Sequence, residues 1–560
     1  MRKYEIIQKT LRGVSTFFLN PVKAVKFVRK CQRNGIRDTL SHYLKNNLTS
    51  YENEFNSKLR KFSILTPLHS MPLALMLKDS LYKVGLACEV TSNEEEFASI
   101  SKNTIPIVLA PQIFKKLPTQ FIAFQLEQKE SSWFNSEYFD LLKNATFVFE
   151  FAENNLNYLL ERGISFSRLY YLPITPSNFL FSKSIHQVSC KYDLVFYGCL
   201  NERRKKILEE LKKHFSVLVV TDCFGEDLHK KLYSAKLVIN IHYYPNAELE
   251  STRLIEALGL GLSVVSEDTQ SKEDLFFKDV VTFAKKDDIG DLITKIKESL
   301  KNKDSTNSES LVSQFSWFEF YLFRFLLSQD IIDFQCFMDK FISNFPVENN
   351  KICLSLPESV ERRQNFLRQP EGQSYSFFPG LRHSLGWVGC GMSYKFMYSL
   401  YKHQPYKLLH ICEDDVVFAS DFQVRLNIIE RYLSNNNNWQ VYCGLISDVN
   451  KSLKLKSHFL IDGEELLLLN HAVGLVYTIY SPKALDLLSR WDISQLDVQK
   501  NTIDRYMESN LSDFLVSIPF LVEQDPDLTS TLWKQENSKI YSEAIQSAEK
   551  KLKGLVHSNV

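Results

Sequence analysis

Three consecutive carboxylates, Glu413, Asp414 and Asp415, close the apolar run KLLHIC and are followed at once by VVF. Like charges repel, and taking them out of water costs free energy, so a cluster with apolar flanks calls for a positive partner. The run reads as a strand, and in α/β sheets ligands bind outside the carboxyl ends of strands. Hard oxygen donors at such a place suit Mg²⁺ or Mn²⁺, which combine a few carboxylates with substrate phosphates. An acidic triplet alone is also common in solvated turns; the apolar flanks set this one apart. Upstream, SLPESVERRQNF supplies two adjacent cations, Arg362 and Arg363, and downstream NTIDRYM carries Asp504. Asp504 could take a proton from a substrate hydroxyl, or only complement the dipole of its own helix.

A second charged set lies mid-chain. Glu248 and Glu256, in NAELESTRLIEALGLGLSVVSE, are eight positions apart, so both could share one helix face. The simpler reading places Glu248 on the preceding loop and Glu256 in the helix. Arg253 can pair with a phosphate or with a neighbouring carboxylate. In YDLVFYGCLNERR a strand ends at Gly198, where backbone N–H groups can approach phosphate, and Arg203 and Arg204 follow in the next turn. Solvated helix carboxylates and one glycine before two arginines would give the same letters.

The elements that must position these residues alternate. FSILTPL, a helix from Met71 to Gly85, TIPIVLAP, QFIAFQLEQ and NATFVFEFA predict a parallel sheet covered on both faces. LYYLPITPSNF, with two prolines, reads as a crossing to a second alternating unit that runs from residue 191 to VVTFA at 280–284. The polar KNKDSTNSES (301–310) is a linker or loop. A long aromatic helical stretch, 311–345, is expected to pack across the two lobes. A third region opens with a strand and a helix at 350–366 and closes with a Lys-rich helix, 546–554. The uncharged run from Leu466 to Pro482 is too short to span a membrane and reads as a buried strand pair with a turn.

The chain has 560 residues, too many for one core, with 44% hydrophobic and 24% charged residues, so it is globular and multi-domain. A net charge of +1 supplies no global field for nucleic acid, and no nucleic-acid partner is expected. The 10 cysteines are scattered without a C-x-x-C pair, which excludes zinc ribbons and fits free thiols in a reducing compartment. No secretory signal is visible. Residues 1–46 carry eleven Lys or Arg against Glu5 and Asp38. With the apolar residues between them they could form a basic amphipathic segment on a membrane surface, or a solvated extension of their own domain.

Taken in order, SLPESVERRQNF, GWVGCGMSYKF, the EDD triplet, NHAVGLVYTIY and NTIDRYM resemble glycosyltransferase family 25, the lipooligosaccharide type, over about residues 350–535. The resemblance implies a GT-A type nucleotide-sugar domain, with Glu413, Asp414 and Asp415 at a metal–diphosphate site. It places Arg362 and Arg363 near the nucleotide and makes Asp504 the general base of an inverting transfer. The family usually shows Ser-His after Gly-Cys, whereas Ser393-Tyr394 stands here, so sugar and acceptor cannot be carried over. Residues 60–300 resemble GT-B glycosyltransferases, whose E-x₇-E motif precedes a similar helix, glycine turn and strand. That implies Glu256 on the nucleotide ribose, Glu248 near the donor sugar, and an acceptor lobe in which Glu127 and Gln128 face the cleft.

The expected architecture is therefore α/β, with two Rossmann-like lobes of GT-B type followed by a GT-A type domain. The expected boundaries are a basic extension (1–58), an acceptor lobe (59–180), a nucleotide-sugar lobe (181–300), a linker with aromatic helices (301–348) and the family 25 domain (349–560). The expected function is a bifunctional glycosyltransferase using nucleotide sugars and Mn²⁺ or Mg²⁺. It would act on a lipid-linked or lipooligosaccharide acceptor in the cytoplasm, held at the inner face of the membrane by the basic N-terminus. Two rivals are a first module that only binds a glycan or a partner, and a metal-dependent phosphohydrolase. Against the second stands the lack of further His or Asp ligands near 413–415.

Overall fold

Apolar runs bounded by Pro, Gly and Asn become parallel strands, as their composition dictates. A computed structural model describes residues 60–177, 190–269, 271–301, 315–448, 452–530, 536–537 and 541–558. The basic extension and its membrane reading, and the linker at 302–310, lie outside the described residues. The first sheet holds β1 (Lys61–Leu65), β2 (Ala87–Thr91), β3 (Ile105–Leu109), β4 (Ile122–Gln125), β5 (Phe147–Glu150) and β6 (Leu169–Tyr171), in the order β2-β1-β3-β4-β5-β6, all parallel. Strands β3 and β5 are buried at every position because helices cover both faces. Asparagine side chains start the intervening helices: Asn93 accepts from the amides of Glu95 and Glu96, and Asn135 from that of Tyr138.

The second sheet holds β7 (Tyr192–Tyr197), β8 (Val217–Val220), β9 (Ala235–Asn240), β10 (Val264–Glu267) and β11 (Thr282–Ala284), in the order β11-β10-β9-β7-β8, again all parallel. Both lobes are Rossmann-like α/β layers.

The third region is a mixed sheet. It contains β12 (Lys351–Ser355), β13 (Ser376–Pro379), β14 (Leu409–Glu413), then, beyond the short β15 (Val416–Phe418), β16 (Val441–Cys443), β17 (Leu455–Ile461), β18 (Glu464–Leu469), β19 (Tyr477–Tyr480) and β20 (Phe514–Ile518). The order is β13-β12-β14-β19-β16-β20-β18-β17, while β15 pairs with β21 (Val522–Gln524) apart from it. Strands β12, β14, β16 and β20 point the same way, so their carboxyl ends share one edge. The run 466–482 does contain two buried strands, but they do not pair: β20 and β16 lie between β18 and β19. Each finds its partners across the sheet, which sequence adjacency does not determine.

The aromatic stretch forms two helices, Trp317–Ser328 and Phe334–Phe341, broken at Asp330, where φ is +54°. Every residue from Phe318 to Ser328 is buried. Phe325 packs against Phe147, Phe149 and Tyr170 of the first lobe. On the opposite side Arg324 grips Glu358 of the third region at 2.7 and 2.9 Å and the Gly380 carbonyl at 2.6 Å, with both charged side chains at 0% exposure. Glu358 also accepts the Tyr171 amide at 3.0 Å. The described residues of the two lobes, the aromatic helices and the third region belong to one compact unit.

Candidate functional site

Glu413 ends β14, and Asp414 and Asp415 turn the chain into β15. Both aspartates are buried. The positive partner is Arg362, from the first turn of the Val360–Arg368 helix, which reaches back over the end of β12. Its Nε and Nη2 donate to Asp414 Oδ1 at 2.8 and 2.5 Å, and Nη2 lies 3.4 Å from Asp415 Oδ2. Ser355 Oγ donates to Asp414 Oδ2 at 2.6 Å. Gln524 and Asn537 donate to Asp415 Oδ2 at 3.2 and 3.0 Å. Burial works against a charged guanidinium, but Asp414 and Asp415 hold Arg362 above its usual value. Burial, then Asp415 and Asp414, raise Glu413 above its usual value. The Arg362 guanidinium relieves the repulsion between the two aspartates.

This changes the expected ligand set. Asp414 has both oxygens committed, so it is not a free metal ligand. Among the described residues no three His, Cys, Asp or Glu side chains are arranged to hold a metal. Asp415 Oδ1, however, is buried with no partner, and Glu413 stands beside it. Two oxygen donors fit a Mg²⁺ or Mn²⁺ ion that takes its remaining ligands from phosphate and water.

Arg363 follows Arg362 by 100° around the helix and cannot face the same group. It points into the seam with the first lobe, where Nη1 donates to Glu153 and the guanidinium stacks 4.3 Å over Phe377. Asp504 sits in the first turn of the Ile503–Asn510 helix and accepts the Arg505 amide at 2.8 Å. Its charge reaches Glu413 and Cys390, so the triplet, the Gly-Cys helix and Asp504 converge on one edge. Sequence reasoning missed Arg505, which bonds Asp448 at 2.7 Å, and His471, whose buried Nδ1 has no partner. Both stood inside the quoted motifs, NTIDRYM and NHAVGLVYTIY.

In the first module Glu248 lies on the loop and Glu256 in the Ser251–Gly259 helix, as read from the sequence. Glu256 approaches His229 Nε2 at 3.2 Å and lines a cavity of about 90 Å³ between the lobes, bordered on the other side by Leu68 and Met71. Burial lowers His69 while the nearby Glu256 opposes the shift. Burial, then the Glu273 charge, push Glu248 up to about 7. Asn154 donates to its carboxylate at 3.3 Å. Gln128 bonds both the amide and the carbonyl of Glu248, at 3.1 and 3.3 Å, which ties the lobes together. Glu127, raised by burial, is held by Gln112 and Ser131 at 2.6 Å each. The neighbouring Glu150, not singled out from the sequence, is wholly buried and pushed by burial up to about 8.

Arg203 and Arg204, expected at phosphate, are held by carboxylates, and Arg253 pairs with a neighbouring carboxylate, the second of its two readings. Arg203 is clamped by Glu267 and Asp287, at 2.5 and 2.7 Å. Arg204, 2% exposed, bonds Glu250 at 2.6 Å and the carbonyls of Ile241 and Cys199, and burial lowers it to about 10. Arg253 pairs with Glu250 and donates to Asn240 at 2.7 Å. A buried guanidinium demands carboxylate partners, and Glu250, which no motif flagged, supplies two of them. Gly198 has φ +123°, and a Cβ there would stand 2.7 Å from Arg253 Nη2, so the glycine makes room for that arginine.

No protein-family model matches the chain. A stretch of 122 residues is 38% identical to the uncharacterised protein L137 of Acanthamoeba polyphaga mimivirus, covering 21% of this chain and 16% of that protein. A stretch of 164 residues is 26% identical to the uncharacterised protein L140 of the same virus, covering 28% and 53%. The chain therefore matches only part of the length of these relatives. Among solved structures, Anabaena HepE in complex with UDP and glucose is 11% identical, covers 46% of this chain and 96% of its own, and has a TM-score of 0.29. The lipopolysaccharide outer core galactosyltransferase WaaB is 12% identical, covers 50% and 98%, and has a TM-score of 0.25. A LacI-family transcriptional regulator from Bifidobacterium animalis, 12% identical over 44% of this chain and 90% of its own, has a TM-score of 0.15.

Proposed function

We propose that the chain is a nucleotide-sugar-dependent glycosyltransferase whose reacting centre is the carboxylate edge of the third region. The observation that carries this reading is the carboxylate triplet at the carboxyl end of β14, its two aspartates buried and one Asp415 oxygen left without a partner beside Glu413. Such a site is prepared for a cation that arrives with a diphosphate. Asp415 and Glu413 would hold Mn²⁺ or Mg²⁺, which supplies neutralisation of the charge that develops on the departing nucleoside diphosphate. Arg362 keeps Asp414 in place and adds a fixed positive charge to the same edge. Asp504, within electrostatic reach of Glu413, takes the proton from the attacking acceptor hydroxyl.

The first module admits two readings. Glu256 in the inter-lobe cavity favours a second transferase site, which would make the chain bifunctional. The commitment of Arg203, Arg204 and Arg253 to internal carboxylates favours a module that holds a glycan or partner for the third region. In both, the acceptor is a lipid-linked or lipooligosaccharide glycan at the cytoplasmic side of a membrane. Among the described residues no helix is long and apolar enough to cross one.

The test uses the full chain with a panel of nucleotide sugars and Mn²⁺, repeated for Asp415→Asn and Glu256→Gln. Asp415→Asn is expected to lower transfer by a hundredfold or more, the scale of losing a charge stabiliser of the transition state. A second donor lost only in Glu256→Gln establishes bifunctionality. Full transfer by Asp415→Asn refutes the reading, and release of sugar to water without any acceptor dependence would establish a hydrolase instead.

A further inference from the structure

A cleft of about 320 Å³ lies between the second lobe and the β12–β13 side of the third region. Its residues come from both modules: Lys272 and Phe276 from the second lobe, Trp317 from the aromatic helix, and Phe345, Ser355 and Arg363 from the third region's side. The rings form a continuous wall, with Trp317 6.0 Å from Phe276 and 5.7 Å from Phe345. Lys272 keeps 31% of its side-chain surface accessible, yet burial and the nearby Arg363 lower its amine to about 8. Its side chain lines the cleft. Arg363, 8% exposed, spends Nη1 on Glu153 and keeps a buried Nε without a partner. At the far end stands Ser355, whose hydroxyl donates to Asp414.

We propose that this cleft binds the nucleoside diphosphate of the sugar donor, base against the aromatic wall, phosphates passing Lys272 and Arg363 toward Ser355 and the carboxylate triplet. The inference rests on the transferase reading of the third region and adds that the first module completes its donor site. The chemistry follows from the lining. Aromatic faces bind a planar base and cations bind phosphate in charge-assisted pairs, and about 320 Å³ stands at the lower end of ligand-pocket volumes. A third region deprived of residues 272–321 would lose one wall of the cleft and one of its two cations. The compactness of the unit that holds the described residues is then a functional requirement and not only a packing outcome.

The experiment titrates the full chain with UDP, ADP and GDP in turn, in Mn²⁺, by calorimetry and by tryptophan fluorescence. Lys272→Gln is chosen because this side chain is half-buried and, among the described residues, makes one ion pair, with Glu153 at 3.5 Å. The result expected is that one diphosphate binds, that Lys272→Gln and Phe276→Ala each weaken it about tenfold, and that Lys272→Arg restores it. Affinity within twofold of wild type in both weakening variants, or a loss in Glu256→Gln alone, overturns the cleft and leaves the transferase reading standing. If no diphosphate binds the wild-type chain, both fall together.

Discussion

Replacing Arg324 by Met isolates the ion pair that joins the modules. The guanidinium makes two charge-assisted bonds to Glu358 and one to the Gly380 carbonyl, all buried. Methionine fills much of the same space but leaves Glu358 as a buried carboxylate, supported by the Tyr171 amide and by Arg382 Nη1 4.0 Å away. Breaking a buried pair in this way costs about 3–5 kcal/mol, and the residual Arg382 contact argues for the lower end, about 3. The pH dependence follows. In the wild type, burial alone would raise Glu358, but Arg324 and Arg382 hold it down to about 2. A depressed carboxylate contributes stability above the unfolded value of about 4.3 and loses it as pH falls toward 2. Without Arg324 burial dominates, Glu358 takes a proton on mild acidification, and the penalty shrinks. Urea unfolding followed by fluorescence is therefore expected to show a deficit near 3 kcal/mol at pH 8 that is much smaller at pH 5. Arg324→Met/Glu358→Gln should recover at least half of the loss at pH 8, because the stranded charge is gone. A deficit under about 1 kcal/mol at pH 8, or one independent of pH, refutes the argument.

Two further outcomes are expected. Glu150, pushed by burial up to about 8, binds its proton more tightly in the folded than in the unfolded chain, so its contribution falls as pH rises from about 4.3 to 8. Glu150→Gln should therefore flatten the decline of stability over that range; an unchanged slope between pH 5 and 9 counts against a protonated Glu150. Gly198→Ala must place a Cβ 2.7 Å from Arg253 Nη2 at φ +123°, and should cost about 1–3 kcal/mol. Gly198→Ala/Arg253→Met should return only the contact part; a neutral single variant in thermal unfolding would contradict the crowding at this glycine.

Chain-local features could be read from the letters because they are consequences of nearby residues. Runs such as IPIVL and FVFE, largely apolar, suit strands covered on both faces, and both form buried parallel strands. The loop position of Glu248, the helical position of Glu256 and the burial of Asp414 and Asp415 between LLHIC and VVF follow from periodicity within about ten residues. What neutralises each charge does not, because side-chain partners are chosen by packing between segments distant along the chain. Arg362 meets Asp414 across 52 positions, Arg363 meets Glu153 across 210, and Asn537 meets Asp415 across 122. Two adjacent arginines with one apparent role therefore diverge, one to the carboxylates and one to the seam, once helix geometry separates them by 100°. The same holds for Arg203, Arg204 and Arg253, whose positive charge was evident but whose buried carboxylate partners were not. Chain order fixes which groups exist and on which element they ride. Desolvation in the assembled core then selects the pairs, and with them the one aspartate oxygen and the cleft that remain open to a ligand.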